Sequence, residues 1–211
     1  PAIFDMRKGS TPMGAIETAM IDASYAQVGK SLNIPTHCYL GATESKIVDA
    51  QAGMESGMSA LVGALAGINM ISGAGMLDFL ACHSPEKLTI DAEAIGMAKR
   101  MLEGVQARTE TLATVMFEGI NFKGDFLKQR ITRELFSKEQ YLPSDVIDRD
   151  SIRGWQASGR MDTFARAKIR TNKLLDEYQR PQMDPAKEKA LVNMMESLAK
   201  EAGMNTLPAL E

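Results

Sequence analysis

The sequence predicts an α/β fold in its N-terminal half and a helical C-terminal half. Short apolar runs over residues 1–6, 34–40 and 68–72 are typical of buried strands, and a helical pattern fills the intervals between them. This alternation favours parallel strands joined by right-handed crossover helices. Three such units do not close a sheet, and parallel strands need cover on both faces. We therefore expect residues 1–104 to be the C-terminal portion of a (β/α)8 TIM-type barrel and residues 105–211 to be a helical region packed on it.

The helix ends are marked by capping residues. Three helix starts combine a capping side chain with a proline at the first helical position: Thr11-Pro12, Ser84-Pro85 and Asp184-Pro185. Gly67 and Gly104 stand where a left-handed residue would close a helix. In the C-terminal half, helices are predicted over residues 109–120, 125–137, 150–178 and 184–202, followed by a loosely held tail over residues 204–211.

One apolar stripe is predicted to be buried on the helix over residues 48–66. Its members recur at helical spacing: Met54, Met58, Leu61 and Leu65. A second strip on the same helix consists of small residues that permit close packing on a sheet: Gly53, Gly57, Ala60 and Ala64.

The composition excludes several classes of protein. Lys plus Arg is 24 and Asp plus Glu is 27, so the formal net charge is −3 and no basic footprint for nucleic acid is present. No run of apolar residues is long enough to span a membrane. We expect a cytoplasmic protein, and the two cysteines fit a reducing compartment. The chain begins inside a predicted strand, so we also expect it to be truncated or processed and to fold poorly alone.

Reactive groups in α/β folds gather beyond the C-terminal ends of the strands. That rule selects residues 5–10, 41–51 and 73–83, which are rich in glycine and polar side chains. The alternative explanation for each of these three segments is that its polar residues and glycines only form turns and cap helices.

A zinc site is one alternative that the ligand types allow. His37-Cys38 and Cys82-His83 supply four soft ligands on neighbouring segments. Adjacent residues on a strand point to opposite faces, so His37 and Cys38 cannot easily share one metal ion. We therefore expect no metal site, and a zinc-dependent enzyme that uses His37, Cys82 and His83 is kept only as a minor hypothesis.

Three groups of residues resemble the trimethylamine methyltransferase (MttB) family from Phe4 to about Arg180. The first is Asp5-Met6-Arg7-Lys8-Gly9. The second and most specific is the string Ser45-Lys46-x-x-Asp49-x-Gln51-x-Gly53-x-Glu55, followed by residues 61–77. The third comprises residues 124–128, 139–144 and 147–149, which look like the non-pyrrolysine branch of the family.

The resemblance implies a barrel that transfers a methyl group from a methylated amine to the cobalt of a separate corrinoid protein. Trimethylamine enzymes of the family carry pyrrolysine, whereas this chain contains only the standard twenty residues. A quaternary amine such as glycine betaine, proline betaine or carnitine is therefore the expected substrate. We expect the corrinoid to stay on its own protein, with no cofactor bound permanently to this chain, and we expect a homo-oligomer. A trimethylamine-specific enzyme and a non-catalytic barrel fragment that serves docking or oligomerisation remain as alternatives.

Candidate site residues follow from this chemistry. A permanent cation is held by aromatic faces and nearby carboxylates. The expected catalytic residues are Glu44, Lys46 and Asp49. The expected substrate-binding residues are the aromatic Phe4, Tyr39 and Phe79, the acidic Asp5 and Asp78, and Arg7, His83 and the amides of Gly73 and Gly75 for a substrate carboxylate. The three aromatic residues are equally compatible with barrel core, and Asp49 with helix capping alone.

Overall fold

The computed structural model describes residues 1–107, 114–118, 120 and 124–207. The described residues form mainly helices with a few short strands, and this combination is consistent with an α/β protein. The chain forms two compact units, Pro1–Leu174 and Leu175–Glu211. The predicted division into residues 1–104 and 105–211 stays a prediction. A barrel segment and helices packed on it would form a single compact unit, so the division at Leu174 does not test it.

The first unit begins with alternating helices and strands. In chain order these are α1 (Ile16–Ser31), β1 (His37–Cys38), α2 (Ala50–Ala66), β2 (Met70–Ile71), β3 (Met76–Leu77), β4 (Cys82–His83) and α3 (Pro85–Glu103). Two short 3-10 helices follow, Thr114–Phe117 and Phe126–Lys128, and then α4 (Arg130–Glu139), α5 (Ile152–Ala157) and α6 (Thr163–Asp176). The second unit contains α7 (Pro185–Glu201). Among the described residues, no helix combines the length and the apolar character that crossing a membrane requires.

The second and third predicted strands are confirmed as a parallel pair. β1 and β2 align His37 with Met70 and Cys38 with Ile71, and α2 forms the crossover between them. The backbone ladder extends beyond the paired residues, since the amide of Met70 donates to the carbonyl of Thr36 at 3.2 Å. The amide of Ser72 likewise donates to the carbonyl of Cys38 at 3.1 Å.

The prediction of a first strand over residues 1–6 is wrong. This segment makes only an isolated antiparallel bridge between Asp5 and Ser10. A local turn takes up the backbone groups that a sheet would need: the amide of Asp5 donates to the carbonyl of Ser10, and the amide of Gly9 donates to the carbonyl of Asp5, both at 2.8 Å. The predicted helix start at Thr11-Pro12 is also wrong, because α1 begins at Ile16.

An antiparallel hairpin, absent from the prediction, follows β2. β3 pairs with β4, with Met76 opposite His83. Three consecutive residues without glycine form its tip in the left-handed region: Asp78, Phe79 and Leu80, with φ of 47°, 56° and 71°. Left-handed backbone is rare in such residues, so the sequence carries no turn signal here.

The face that α2 buries is opposite to the predicted one. Met54, Met58 and Leu65 are 66%, 57% and 63% exposed, so the prediction of a buried apolar stripe is wrong. The buried face instead consists of small side chains: Ala52, Ser56, Ser59, Ala60, Gly63 and Ala66. Small residues let the α2 backbone approach its neighbours closely: an added Cβ at Gly63 would lie 2.7 Å from the side chain of Ile71 and 3.0 Å from that of Leu40. Gly53 and Gly57, in contrast, face open space.

The remaining helix predictions succeed where a cap is present. α3 and α7 begin with the predicted caps Ser84 and Asp184, whose side chains accept backbone N–H groups. The predicted helix over residues 150–178 is wrong in its middle, because Gly159 and Arg160 adopt positive φ between α5 and α6. The helix predicted over 125–137 becomes a 3-10 turn followed by α4. Half of the helix predicted over 109–120, and the end of the predicted tail, lie outside the described residues, and the described half contains the 3-10 helix Thr114–Phe117.

A buried ion pair joins α3 to the loops that follow both parallel strands. The ammonium of Lys87 lies 2.5 Å from the carboxylate of Asp91, and both side chains are almost fully buried. Lys87 also donates to the carbonyl of Gly41 at 3.2 Å and to the hydroxyl of Ser56 at 2.7 Å. Asp91 in turn accepts the amide of Gly75 at 2.7 Å. The pair therefore holds the loop after β1 and the loop after β2 in fixed positions.

We expect Lys87→Met to lower the free energy of unfolding of the intact protein by about 3 to 5 kcal/mol, because Asp91 is left as an uncompensated buried charge. Urea unfolding measures this loss. Lys99→Met, at an exposed position of the same helix, is the matched control and should change stability by less than about 0.5 kcal/mol. Equal effects of the two substitutions would show that the pair has no structural role.

We expect Gly73→Ala to destabilise the protein by about 1 to 3 kcal/mol, because an added Cβ would lie 2.2 Å from the carbonyl oxygen of Tyr39. Gly53→Ala is the control, since its Cβ meets no atom within 4 Å and alanine favours the helix by about 0.5 to 1 kcal/mol. Thermal unfolding should thus move in opposite directions for the two variants. A stabilising Gly73→Ala would contradict the close approach of the loop to β1.

Candidate active site

A cavity of about 510 Å³ lies where the loop after β1 meets the N-terminal segment, the start of α2 and the hairpin tip. Five of the predicted site residues line it: Phe4, Asp5, Arg7, Glu44 and Phe79. Two residues that the prediction did not assign to the site, Gln51 and Glu55, complete the wall on the α2 side.

Glu44 is the most buried acid of this cavity, with only 9% of its surface exposed. One carboxylate oxygen accepts the amide of Gly14 at 2.7 Å, which fixes the side chain between the N-terminal segment and α2. Burial raises the pKa of Glu44 above its ordinary value, and the negative charge of Glu55 raises it further. The amide of Gly14 offsets part of this rise, since it stabilises the ionised form.

Glu55 organises the loop that carries Glu44. Its carboxylate accepts the amide of Glu44 at 3.0 Å and the hydroxyl of Thr43. The other oxygen accepts the amide side chain of Gln51 at 2.9 Å. The spacing of Gln51 and Glu55, four residues apart at the start of α2, is the sequence signal that could have placed both in the site, because such residues share one helix face.

Asp5 and Arg7 form an ion pair at the mouth of the cavity. The guanidinium of Arg7 lies 3.2 Å from one carboxylate oxygen of Asp5. The backbone amide of Arg7 donates to the other carboxylate oxygen at 2.8 Å. These hydrogen bonds hold the pKa of Asp5 below its ordinary value. Asp5 is therefore a fixed negative group, whereas the Arg7 side chain is 88% exposed and extends into solvent.

Lys46 lies beside the hairpin tip. Its ammonium is 3.2 Å from a carboxylate oxygen of Asp78 and 4.5 Å from the centre of the Phe79 ring. It also donates to the carbonyl of Glu44 at 2.8 Å. The structure thus brings the predicted Lys46, Asp78 and Phe79 together, with a cation already resting on the aromatic face.

Asp49 is the N-cap of α2. Its carboxylate accepts the amide of Ala52 and the hydroxyl of Ser45, both at 3.1 Å, and the Ala52 hydrogen bond lowers its pKa. This carboxylate does not line the cavity. Its predicted catalytic role stays a prediction, while its capping role is visible.

Seven predicted site residues do not line this cavity: Lys46, Asp49 and Asp78, described above, and Tyr39, Gly73, Gly75 and His83. The two glycine amides, predicted as donors for a substrate carboxylate, are already engaged. The amide of Gly73 donates to the carbonyl of Leu40 at 3.2 Å, and the amide of Gly75 donates to Asp91 at 2.7 Å. His83 lies on β4 next to Gly75, and Tyr39 lies half-exposed at the end of β1.

The zinc hypothesis requires a cluster of ligands, and the part of the chain that the structure describes contains none. No three His, Cys, Asp or Glu side chains there are close enough to hold a metal ion. His37 instead makes a 2.6 Å hydrogen bond with the hydroxyl of Ser72, and Cys38 is buried.

Comparison with known proteins identifies the family. Residues 1–203 match the family described as trimethylamine methyltransferase (MTTB). The chain belongs to this family. Members similar to it include the trimethylamine methyltransferase MttB2 of Methanosarcina mazei, which is 36% identical over 86% of this chain and 36% of the relative. The trimethylamine methyltransferase MttB of Methanosarcina thermophila is 34% identical over 86% of this chain and 37% of the relative.

The family match extends to an enzyme named for another substrate. The glycine betaine methyltransferase of Desulfitobacterium hafniense is 32% identical over 96% of this chain and 42% of the relative. The chain therefore spans less than half the length of these curated relatives. Membership of the trimethylamine methyltransferase family confirms the predicted resemblance.

Glu44→Gln tests the electrostatics of the cavity. A carboxyl whose pKa is raised in the folded state binds its proton more tightly there, so stability falls as the pH rises through that pKa. We expect Glu44→Gln to gain stability relative to wild type at neutral pH and to lose this advantage at acidic pH. Urea unfolding at the two pH values measures the difference, with the exposed Glu196→Gln as control. An advantage that grows at acidic pH would contradict the assignment.

Proposed function

We propose that the intact protein is a methyltransferase that moves a methyl group from a quaternary amine to the cobalt of a separate corrinoid protein. Its relatives are named as methyltransferases of trimethylamine and of glycine betaine. The observation that carries the proposal is the cavity in which the acids Glu44, Glu55 and Asp5 adjoin the aromatic rings of Phe4 and Phe79.

A quaternary ammonium group needs this kind of surroundings. It has no N–H group to donate, so a protein recognises it by negative charge and by the faces of aromatic rings. Asp5 lies at the mouth as a carboxylate paired with Arg7, and a bound cation would share its negative charge with that guanidinium. Glu44, fixed by the amide of Gly14, supplies a second carboxylate deeper in the cavity. The carboxylate of Glu44 and the rings of Phe4 and Phe79 would therefore favour a cation over a neutral molecule.

The proposed reaction requires little acid or base catalysis from the residues of this chain. A quaternary nitrogen already carries the positive charge that makes its amine a leaving group, so no proton has to be added. A cobalt(I) corrinoid on the partner protein would supply the nucleophile. The residues of this chain would orient the cation and stabilise it in one position, which is catalysis by positioning and electrostatics.

The proposal includes a barrel, a corrinoid protein as partner and a homo-oligomer. The parallel pair with its α2 crossover is the βα unit from which a barrel is built. The family relatives are more than twice as long as the matched segment, which leaves room for the further strands that a closed barrel needs.

Trimethylamine is the second candidate substrate, because several similar relatives are named trimethylamine methyltransferases. The two candidates differ in whether the positive charge on nitrogen is permanent. A tertiary amine would need its nitrogen activated before methyl transfer, whereas a quaternary amine would not. A role in docking or oligomerisation without chemistry is the remaining alternative.

Mixing the intact protein with a cobalt(I) corrinoid protein tests the proposal. We expect loss of the cobalt(I) absorption with glycine betaine, proline betaine or carnitine, and no loss with trimethylamine. Glu44→Gln and Phe79→Leu should slow the reaction by at least about tenfold, because each removes one element of cation binding. Glu196→Gln, far along the chain on α7, should leave the rate unchanged.

The outcomes separate the candidates. Reaction with trimethylamine alone would transfer the assignment to the second substrate. No reaction with any amine, from folded protein and a competent corrinoid partner, would leave only the docking role.

A further inference from the structure

The hairpin tip adopts a backbone conformation that two of its three residues disfavour. Asp78, Phe79 and Leu80 all lie in the left-handed region, with φ of 47°, 56° and 71°. The Cβ atom crowds the backbone in this region, so glycine adopts it freely, aspartate at moderate cost and bulky residues rarely. Contacts with the rest of the protein must therefore hold Phe79 and Leu80 in this conformation.

Backbone hydrogen bonds hold only the start and the end of the tip. The amide of Ala81 donates to the carbonyl of Asp78 at 2.9 Å, which closes the turn. The amide of Asp78 donates to the carbonyl of Ser45 at 3.1 Å, which joins the tip to the loop after β1. Neither hydrogen bond fixes the ring of Phe79.

The side chain of Lys46 supplies the contact that the backbone does not. Its ammonium lies 3.2 Å from a carboxylate oxygen of Asp78 and 4.5 Å from the centre of the Phe79 ring. The same ammonium donates to the carbonyl of Glu44 at 2.8 Å, which anchors it to its own loop. An exposed ion pair alone stabilises little, but this single cation restrains two successive residues of the tip.

Phe79 connects these contacts to the cavity. Its side chain lines the cavity of about 510 Å³ together with that of Glu44, whereas Lys46 does not line it. Lys46 therefore acts on the cavity through the groups that its ammonium contacts, the Phe79 ring and the Glu44 carbonyl. This placement favours a role in orienting the ring over direct contact with a substrate.

We propose that Lys46 is a positioning residue, which holds the hairpin tip in its left-handed conformation and thereby keeps the ring of Phe79 against the cavity. The inference rests on the proposed function, because the ring is taken to contact the cationic group of the substrate there. It differs from the catalytic role expected for Lys46, since the ammonium acts on Phe79 and not on the reacting atoms. Without the ammonium, the tip relaxes from this conformation and the ring leaves the cavity wall.

Binding of tetramethylammonium to the intact protein distinguishes positioning from a purely electrostatic role. This probe carries the cationic group but no carboxylate that Lys46 could bind. A lysine that acted by charge alone would repel the probe, so its removal would tighten binding. The positioning role predicts the opposite sign. We expect Lys46→Met to raise the Kd, measured by calorimetry, about 3- to 10-fold, because the probe loses its contact with the ring.

Two further variants provide the controls for binding. Lys46→Arg keeps a cation that can pair with Asp78 and lie on the Phe79 ring, so its Kd should stay within about twofold of wild type. Lys138→Met removes an exposed lysine of α4 and should not change the Kd.

Hydrogen exchange measures the hold on the tip without any ligand. The amides of Asp78 and Ala81 should exchange about 5- to 10-fold faster in Lys46→Met than in wild type, because local opening of the tip becomes easier. They should exchange at the wild-type rate in Lys138→Met. The amide of Leu88, which donates to the carbonyl of Ser84 at the start of α3, should be unchanged in every variant, which reports an intact fold.

Three results would overturn the inference. The first is unchanged exchange at the tip in Lys46→Met. The second is a Lys46→Met variant that binds tetramethylammonium as tightly as wild type, or more tightly. The third is a Lys46→Arg variant that loses as much affinity as Lys46→Met. Faster exchange at the tip of Lys46→Met, in a protein whose wild type binds no tetramethylammonium, would instead support the hold by Lys46 and count against the proposed function.

Discussion

The buried pair of Lys87 and Asp91 is the interaction on which the arrangement of the site depends. Both charges lie on α3, yet their remaining hydrogen bonds reach the carbonyl of Gly41 and the amide of Gly75. Those two backbone groups belong to the loops that follow β1 and β2. Buried charges are costly unless they are paired and fully hydrogen-bonded. The two loops must therefore keep the backbone groups of Gly41 and Gly75 within hydrogen-bonding distance of the pair. The strand ends are thereby held where the cavity needs them.

Close packing by small residues provides the second constraint. α2 turns its alanine, serine and glycine face inward, and Ser56 on that face joins the Lys87 cluster. The same close approach brings Glu55 to the loop after β1, where it accepts the amide of Glu44. A bulkier inward face would move α2 outward, and Glu55 would lose this contact. The small residues that allow α2 to pack closely therefore also fix the position of Glu55 in the site.

The cavity gathers side chains that are distant in sequence. The carboxylates of Asp5, Glu44 and Glu55 and the rings of Phe4 and Phe79 all line it. They come from the N-terminal segment, the loop after β1, the start of α2 and the hairpin tip, so only the packing of these four elements brings them together. All four elements lie within the residues that match the trimethylamine methyltransferase family.

The sequence by itself determined the features that depend on local pattern. Capping residues located the starts of α3 and α7, apolar runs located β1 and β2, and the string from Ser45 to Glu55 identified the family. Tertiary structure decided which face of α2 is buried, because periodicity defines two faces and only the neighbours select between them. It also decided the Lys87 cluster and the hairpin tip. Ion pairs that bind distant backbone groups, and left-handed residues other than glycine, leave no local signal, so only the folded chain reveals them.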